Sequence, residues 1–415
     1  MKIGIIGSGV SGLTAAHLLH REHEIVVFEA DTRIGGHVHT VDVETSRGHV
    51  GIDTGFIVFN DRTYPNFVRL LSMLGVDWQT SSMGFSVRCE RSGLEYGGDS
   101  LAALFAQRRN LVRPSFHRML RDVLRFHREA RAFLAKSEGD PTLGEFLAER
   151  RYSRELVDHY LVPMCAAVWS ADPRSVLDIP SRTLLRFFER HGLLSVKDRP
   201  QWRVVRGGSA RYVEALVRPF RDRIRTACPA VRVSRDERGA AVTLRGGDTL
   251  RFDRVILACH SDQALALLAD PSDAEREILG AIAYQENEAI LHTDASVLPR
   301  RRRAWSSWNY HLPEKDRGRA TVTYCMNLLQ GLDLPETFCV TLNRSDAIDP
   351  ARIVRRIVYH HPVFTASAVA AQARHDAVDG VRNTHFCGAW WGHGFHEDGV
   401  RSALAVCDKL GARLR

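Results

Sequence analysis

The sequence predicts an α/β unit joined to an α+β unit, and three observations lead there. Within the first 30 residues, a short apolar strand runs into a glycine-rich turn, a helix and a second apolar strand. Residues 99–195 read mostly as helices, and residues 281–343 alternate in the manner of strands. The chain has 415 residues, 44% of them hydrophobic, which suffices for a large buried core in two or three structural units.

The first unit is the most explicit. Lys2 to Ile6, KIGII, is a buried strand, and Gly7, Ser8, Gly9, Val10, Ser11 and Gly12 form a G-x-G-x-x-G. Leu13 to His20 keeps helical spacing, and Glu24 to Ala30, EIVVFEA, is a second strand that ends in Glu29 and Ala30. In such a unit Gly7 makes the tight turn, Gly9 lets the backbone approach a pyrophosphate, and Gly12 lets helix and strand pack closely. The helix N-terminus offers free N–H groups to phosphate. Glu29, 17 residues after the last glycine, is placed to accept hydrogen bonds from a ribose diol. The reading is a Rossmann-like, dinucleotide-binding element. No second G-x-G-x-x-G occurs, which argues against a separate nicotinamide domain.

Next come Asp31-Thr32-Arg33-Ile34-Gly35-Gly36-His37 and then Asp53-Thr54-Gly55-Phe56. A glycine pair one turn beyond the ribose acid resembles the extended signature of the FAD-binding amine oxidase superfamily. That group includes monoamine and polyamine oxidases, protoporphyrinogen oxidase and carotenoid desaturases. The resemblance implies FAD as cofactor, with Gly35 and Gly36 near the pyrophosphate and the segment from Asp53 through Thr54 and Gly55 to Phe56 near the flavin ring. The superfamily usually has arginine after the glycine pair; here it is His37, and Arg33 is the nearby guanidinium that could compensate.

In the helical stretch, Phe116, Met119, Leu120, Val123, Ala130, Phe133 and Leu134 share one face, with Arg118, Arg121, Arg125, Arg128 and Arg131 opposite. Residues 107–131 hold eight arginines against Asp122 and Glu129, within a net charge of +8 for the chain. Either a solvated surface helix or a helix meeting anionic phospholipid fits this pattern. No nucleic-acid-binding module accompanies the charge, so no nucleic-acid partner is expected.

Trp202 to Ser209, WRVVRGGS, resembles the superfamily's internal glycine-pair element. A hairpin with a Gly246-Gly247-Asp248 turn follows, and the strand at its start makes Val231 or Val233 the backbone contact to adenine that the resemblance implies. In the alternating region, Trp308 and Tyr310 fall on one face, as do Tyr324 and Met326. With Trp169 and Trp391 added, Trp308, Tyr324 and Met326 are the expected substrate pocket. At the end of the chain, GAWWGHGFHEDG (388–399) reads as a loop between a last strand and a helix, with Asp398 as its N-cap. The resemblance places this helix N-terminus against the pyrimidine edge of the flavin, through Gly388, Ala389, Asp398, Gly399 and Val400. Its partial positive charge would favour the reduced ring. The superfamily usually has an acid where Ala389 stands.

Trp308 to Leu312, Thr323 to Asn327 and Gly394 to Gly399 look like one bacterial branch of the superfamily. That branch is associated with cyclopropane-fatty-acid-synthase-type methyltransferases, and one member type desaturates methylated acyl chains in furan fatty acid synthesis. The resemblance implies hydride transfer from a methylated or unsaturated lipid acyl chain to flavin N5, at a membrane surface reached through the basic helix 107–131. His396, Tyr310 and His311 are the candidate catalytic groups. Oxidation of a soluble amine is the alternative chemistry, though Lys315 sits in a charged turn, a poor site for the buried lysine common in amine oxidases. A non-catalytic FAD-bound partner of a lipid-modifying methyltransferase is the other alternative. No metal is expected. Eight singly scattered cysteines and no apolar leader point to a cytoplasmic location, peripheral at the inner membrane in the lipid reading. The expected division is a discontinuous FAD-binding domain (1–80, 200–275 and 375–415) and a mixed-sheet and helical substrate domain (81–199 and 276–374).

Overall fold

The structure, a computed structural model, describes residues 1–136, 139–197, 199–315 and 317–414. Five parallel strands form one sheet in the order Ile224–Arg225, Glu24–Phe28, Lys2–Ile6, Arg254–Leu257, Thr384–Phe386. The three central strands read KIGII, EIVVF and RVIL, near-continuous apolar runs, because both faces of the sheet are covered. The first helix, Val10–Leu19, and the last, His396–Lys409, pack against each other over one face. Their approach requires a glycine: a Cβ on Gly399 would lie 2.7 Å from Val10 Cγ1 and 2.9 Å from Ser11 Oγ. An antiparallel three-stranded sheet (Ala230–Asp236, Gly239–Leu244, Thr249–Phe252) joins a common core with the other face. There Phe252 meets Phe28 edge to face at 5.9 Å.

A seven-stranded mixed sheet runs in the order Ile353–Pro362, Tyr284–His292, Cys339–Leu342, Val322–Cys325, Trp308–Leu312, Phe85–Cys89, Leu94–Gly97. Among the described residues its one parallel pairing joins Trp308–Leu312 to Phe85–Cys89. One face is apolar and carries Val87, Tyr310, Val322, Val340 and Leu291 into the largest hydrophobic core. The helices Pro114–Leu134, Leu143–Glu149, Val162–Trp169 and Ser181–Arg190 contribute to that core. The other face carries a polar row: Ser86 Oγ donates to Asn309 Oδ1 at 2.8 Å, and the Thr323 and Thr341 hydroxyls bond at 2.8 Å.

The long helix buries Phe116, Met119, Phe126, Ala130 and Phe133, close to the expected face. Its arginines are less free than their pattern suggests. Arg118 pairs with Glu155 at 2.9 Å, Arg125 stacks 4.2 Å from the Tyr152 ring centre, and Arg131 donates to the Leu194 carbonyl. All eight cysteines stand free, and no helix among the described residues is long and apolar enough to cross a membrane.

Candidate active site

The glycine fingerprint is built as its spacing requires. Gly7 adopts φ +106°, where a Cβ would sit 2.6 Å from the Ala258 carbonyl oxygen. A Cβ on Gly12 would lie 2.0 Å from Gly7 O. Gly9 is different: a Cβ there would meet nothing within 4 Å, so the backbone opens on free space at the start of the first helix. The second glycine element packs directly on Gly9 from another side, with Gly36 at φ +58° and its Cβ position 3.0 Å from Gly9 Cα. Gly35 N–H donates to the Ser8 carbonyl at 3.1 Å, which locks the two loops together. Glu29 closes the end: its carboxylate accepts from Ser8 N–H at 3.0 Å, Ser8 Oγ–H at 2.5 Å and Asp31 N–H at 2.8 Å. Arg33 spends two donors on the loop itself, giving bonds of 2.7 Å to Gly36 O and 2.6 Å to Val38 O. These features fit a dinucleotide: an open backbone at a helix N-terminus for phosphate, and an acid at the end of the second strand for a ribose. Of the two adenine candidates, Val231 is 45% exposed, whereas Val233 is fully buried in the core and its carbonyl accepts from Ala269 N–H at 2.9 Å. Only Val231 is open to a ligand.

Asp53 belongs to the frame. Its buried carboxylate accepts from Thr40 Oγ–H at 2.6 Å and from Ser209 N–H at 2.9 Å and Oγ–H at 3.0 Å, tying the loop to the start of the helix Ala210–Val217. Burial raises its pKa to about 6. Thr54 N–H and Oγ–H donate to His39 O at 2.9 and 2.8 Å, and Phe56 N–H donates to His37 O at 2.9 Å. Gly55 is obligatory here, because a Cβ would lie 2.1 Å from that same oxygen. The His37 ring stacks on Tyr359 at 5.1 Å, with His361 at 5.4 Å and His260 at 6.0 Å. Burial lowers the pKa values of His37 and His260 to about 4 and of His361 to about 3, so the cluster is neutral near pH 7.

The chain's final loop returns to this place, but its parts differ from the expectation. The last helix starts at His396, and Asp398 is its third residue, not its N-cap. The Asp398 carboxylate reaches back to His393 N–H at 2.9 Å and Phe395 N–H at 3.2 Å, and Arg401 donates to it at 2.8 Å. It is committed to the loop rather than presented to a ligand. Gly388 donates its N–H to Ser402 Oγ at 2.9 Å, and a Cβ there would lie 2.2 Å from Trp390 Nε1. Ala389 turns the loop, accepting from Gly392 and Gly394 N–H at 3.1 Å each. Val400 is fully buried.

The expected catalytic groups separate. His396 lies inside an aromatic core, stacked on Phe56 at 3.4 Å with Nε2 2.8 Å from the Tyr212 hydroxyl. Burial pushes its pKa far down, and its Nε2 is taken up by the Tyr212 hydroxyl inside that core. His311 and Tyr310 are neighbours on a strand and face opposite sides of the sheet. His311 bonds Glu90 Oε1 at 2.9 Å on the polar side, and Tyr310 is buried in the helical core. They cannot serve one pocket. Met326 begins a short helix, Met326–Leu329, so strand alternation does not pair it with Tyr324. Trp391 packs on Trp390 at 4.2 Å and His375 at 4.4 Å, away from the other pocket candidates.

Three of the expected pocket residues do converge. Trp308 meets Tyr324 edge to face at 5.1 Å, and the helix that ends in Trp169 packs on the Trp308–Leu312 strand. Trp169 lies 4.7 Å from Phe187, which in turn touches His191 at 3.9 Å, Phe395 at 5.4 Å and His393 at 5.4 Å. The indole N–H groups of Trp169 and Trp308 are buried without a hydrogen-bond partner. Phe187, His191 and Tyr359 had escaped the sequence reading. The i, i+4 spacing of Phe187 and His191, and the β-branched run before Tyr359, were the available signals.

A parallel sheet with an open glycine loop, a strand-end acid and a second sheet layered against helices defines the class of dinucleotide-binding proteins. The family model for flavin-containing amine oxidoreductases matches residues 10–328, so the chain belongs to that family and is an FAD-dependent enzyme. Solved structures share the fold. Cyclohexylamine oxidase from Brevibacterium oxydans superposes with a TM-score of 0.68 at 18% identity over 99% of both chains. Putrescine oxidase with putrescine bound gives 0.71 at 15% over 99% of both. A CLA-producing fatty acid isomerase from P. acnes gives 0.70 at 15% over 98% of both.

Proposed function

We propose that the enzyme dehydrogenates an unsaturated or methyl-branched acyl chain of a lipid. The observation that carries this reading is the aromatic cluster of Trp169, Phe187, Trp308, Tyr324 and Phe395, which offers apolar surface and no carboxylate to hold an ammonium group. The two acids that follow Phe395 closely in the chain are engaged: Asp398 as described, and Glu397 with Asn66 Nδ2–H at 2.6 Å and Phe67 N–H at 3.0 Å. Lys315 is exposed, far from the role of a buried lysine. The fold also houses fatty-acid chemistry in the isomerase named above.

In this reading residues 1–80, 200–275 and 375–415 form the cofactor half, and 81–199 with 276–374 the substrate half. Gly7 to Gly12, Glu29, Gly35, Gly36 and Val231 hold the AMP and pyrophosphate portion of FAD, and the Asp53–Phe56 and Gly388–Ala389 loops flank the ring. Bound FAD supplies a two-electron acceptor, taking hydride from a substrate carbon at flavin N5. The neighbouring carbon then gives up a proton, and His191 is the base of this reading. Its Nδ1 donates to Phe187 O at 2.9 Å, which leaves Nε2 with a lone pair, and burial keeps the ring neutral with a pKa of about 4. A weak base suffices once hydride departure has acidified that C–H bond.

Ring faces also attract cations, which favours an amine as the second reading. Anaerobic incubation with methyl-branched unsaturated phospholipid, against a panel of soluble amines, separates the two. Loss of the flavin's visible absorbance with the lipid and not the amines is expected; bleaching by an amine alone would reverse the assignment.

A further inference from the structure

The stretch from Ser100 to Arg121 contains five arginines and no aspartate or glutamate. It folds as a short helix, Leu101–Leu104, a 3-10 turn, Arg108–Val112, and the start of the long helix. The short helix packs beside the turn Arg302–Ala304, so the chain's second arginine run, Arg300 to Arg303, borders the same corner. Three apolar side chains here point at solvent: Leu101 is 75% exposed, Leu111 55% and Val112 82%. Isolated exposed aliphatics are ordinary. Three of them on one corner, ringed by arginines, are not.

The charges are also available. Arg301 pairs with Glu95 and Arg118 with Glu155, but Arg108 and Arg303 are exposed and have no acidic partner among the described residues. On the long helix, Arg118, Arg125 and Arg131 each hold a protein partner, although Arg118 and Arg131 remain exposed. The Leu101–Arg113 corner gathers three such aliphatic side chains, whereas the arginine face of the helix carries one, Leu124, 60% exposed between Arg121 and Arg128.

We propose that this corner docks on an anionic bilayer, with the arginines on lipid phosphates and Leu101, Leu111 and Val112 in the boundary between headgroups and acyl chains. Charge complementarity selects this occupant. A second copy of the chain would bring arginine against arginine, and a nucleic acid would leave the three aliphatic side chains in water. The inference deepens the acyl-substrate reading, because a lipid-consuming enzyme needs such a face; binding is measured apart from turnover, so either can fail alone.

The test is co-sedimentation of the holoenzyme with phosphatidylcholine vesicles, with and without phosphatidylglycerol. Binding should require phosphatidylglycerol and weaken as salt rises. Arg108→Gln and Arg303→Gln should each weaken it about fivefold. The double variant Leu101→Ser, Val112→Ser should weaken it at least tenfold. All four positions are exposed, so flavin content and melting temperature should stay at wild-type values. Equal affinity of wild type and variants for anionic vesicles would overturn the proposal. So would a dimer, or a duplex DNA complex, that the Leu101→Ser, Val112→Ser variant abolishes while vesicle binding persists.

Discussion

The cofactor end and the substrate end of this enzyme are specified in different ways. At the cofactor end the requirement falls on backbone: Gly7, Gly12 and Gly55 stand where a Cβ would come within 2.6 Å of a carbonyl oxygen. A backbone requirement shows as residue type at fixed spacing. At the substrate end it falls on side chains, and Trp169, Phe187, Trp308, Tyr324 and Phe395 come from separate parts of the chain. Damage at the first end should cost the cofactor, and damage at the second should cost only turnover.

The sharpest way to break that contrast is Gly12→Val, whose Cβ would lie 2.0 Å from Gly7 O. It should yield apoprotein destabilised by about 3 kcal/mol or more; a purified variant that keeps a full flavin spectrum would show the contrast to be wrong. Next is Glu29→Gln, which weakens the acid's three hydrogen bonds and its hold on a ribose. FAD affinity by titration should fall at least tenfold, with the fold intact.

A third prediction concerns pH. His37, His260 and His361 are buried neutral, with pKa values lowered to about 4, about 4 and about 3. The unfolded chain binds protons at these groups from about pH 6.5 downward while the folded one resists until about pH 4. Their stabilising effect is therefore complete above about pH 6.5 and is lost as the pH falls towards 4. Denaturant midpoints should drop between pH 7 and pH 5, and His37→Phe should shrink that drop; an unchanged drop would remove His37 from the account.

Two smaller effects sharpen the substrate side. Phe187→Leu should change KM and kcat several-fold without changing flavin content. His396→Phe should keep its stack on Phe56 and lose only the Tyr212 bond, costing about 1 kcal/mol and leaving kcat within a few-fold. A hundredfold fall in kcat would return His396 to the list of bases.

The same contrast explains what could be read in advance. The strand, glycine turn, helix and strand-end acid were legible because each is a local demand on a short segment. The close pairing of first and last helices, realised through Gly399, was not legible, because it depends on a long-range approach that no local spacing encodes. The start of the last helix was misjudged because Asp398 looks like a cap, yet its carboxylate reaches backward to His393 and Phe395. Met326 was assigned to the pocket by strand alternation and Trp391 by the resemblance of the final loop. Their partners are decided by where the strand ends and by the neighbouring Trp390 and His375.

The outer strand of the parallel sheet is Thr384–Phe386, and the helix that leans on Val10 follows it. The glycine fingerprint of residues 7–12 therefore gains its covering wall only once residues 384–409 have folded back onto it. A contact of such long sequence separation carries a high loop-closure cost, so it forms late in folding rather than early.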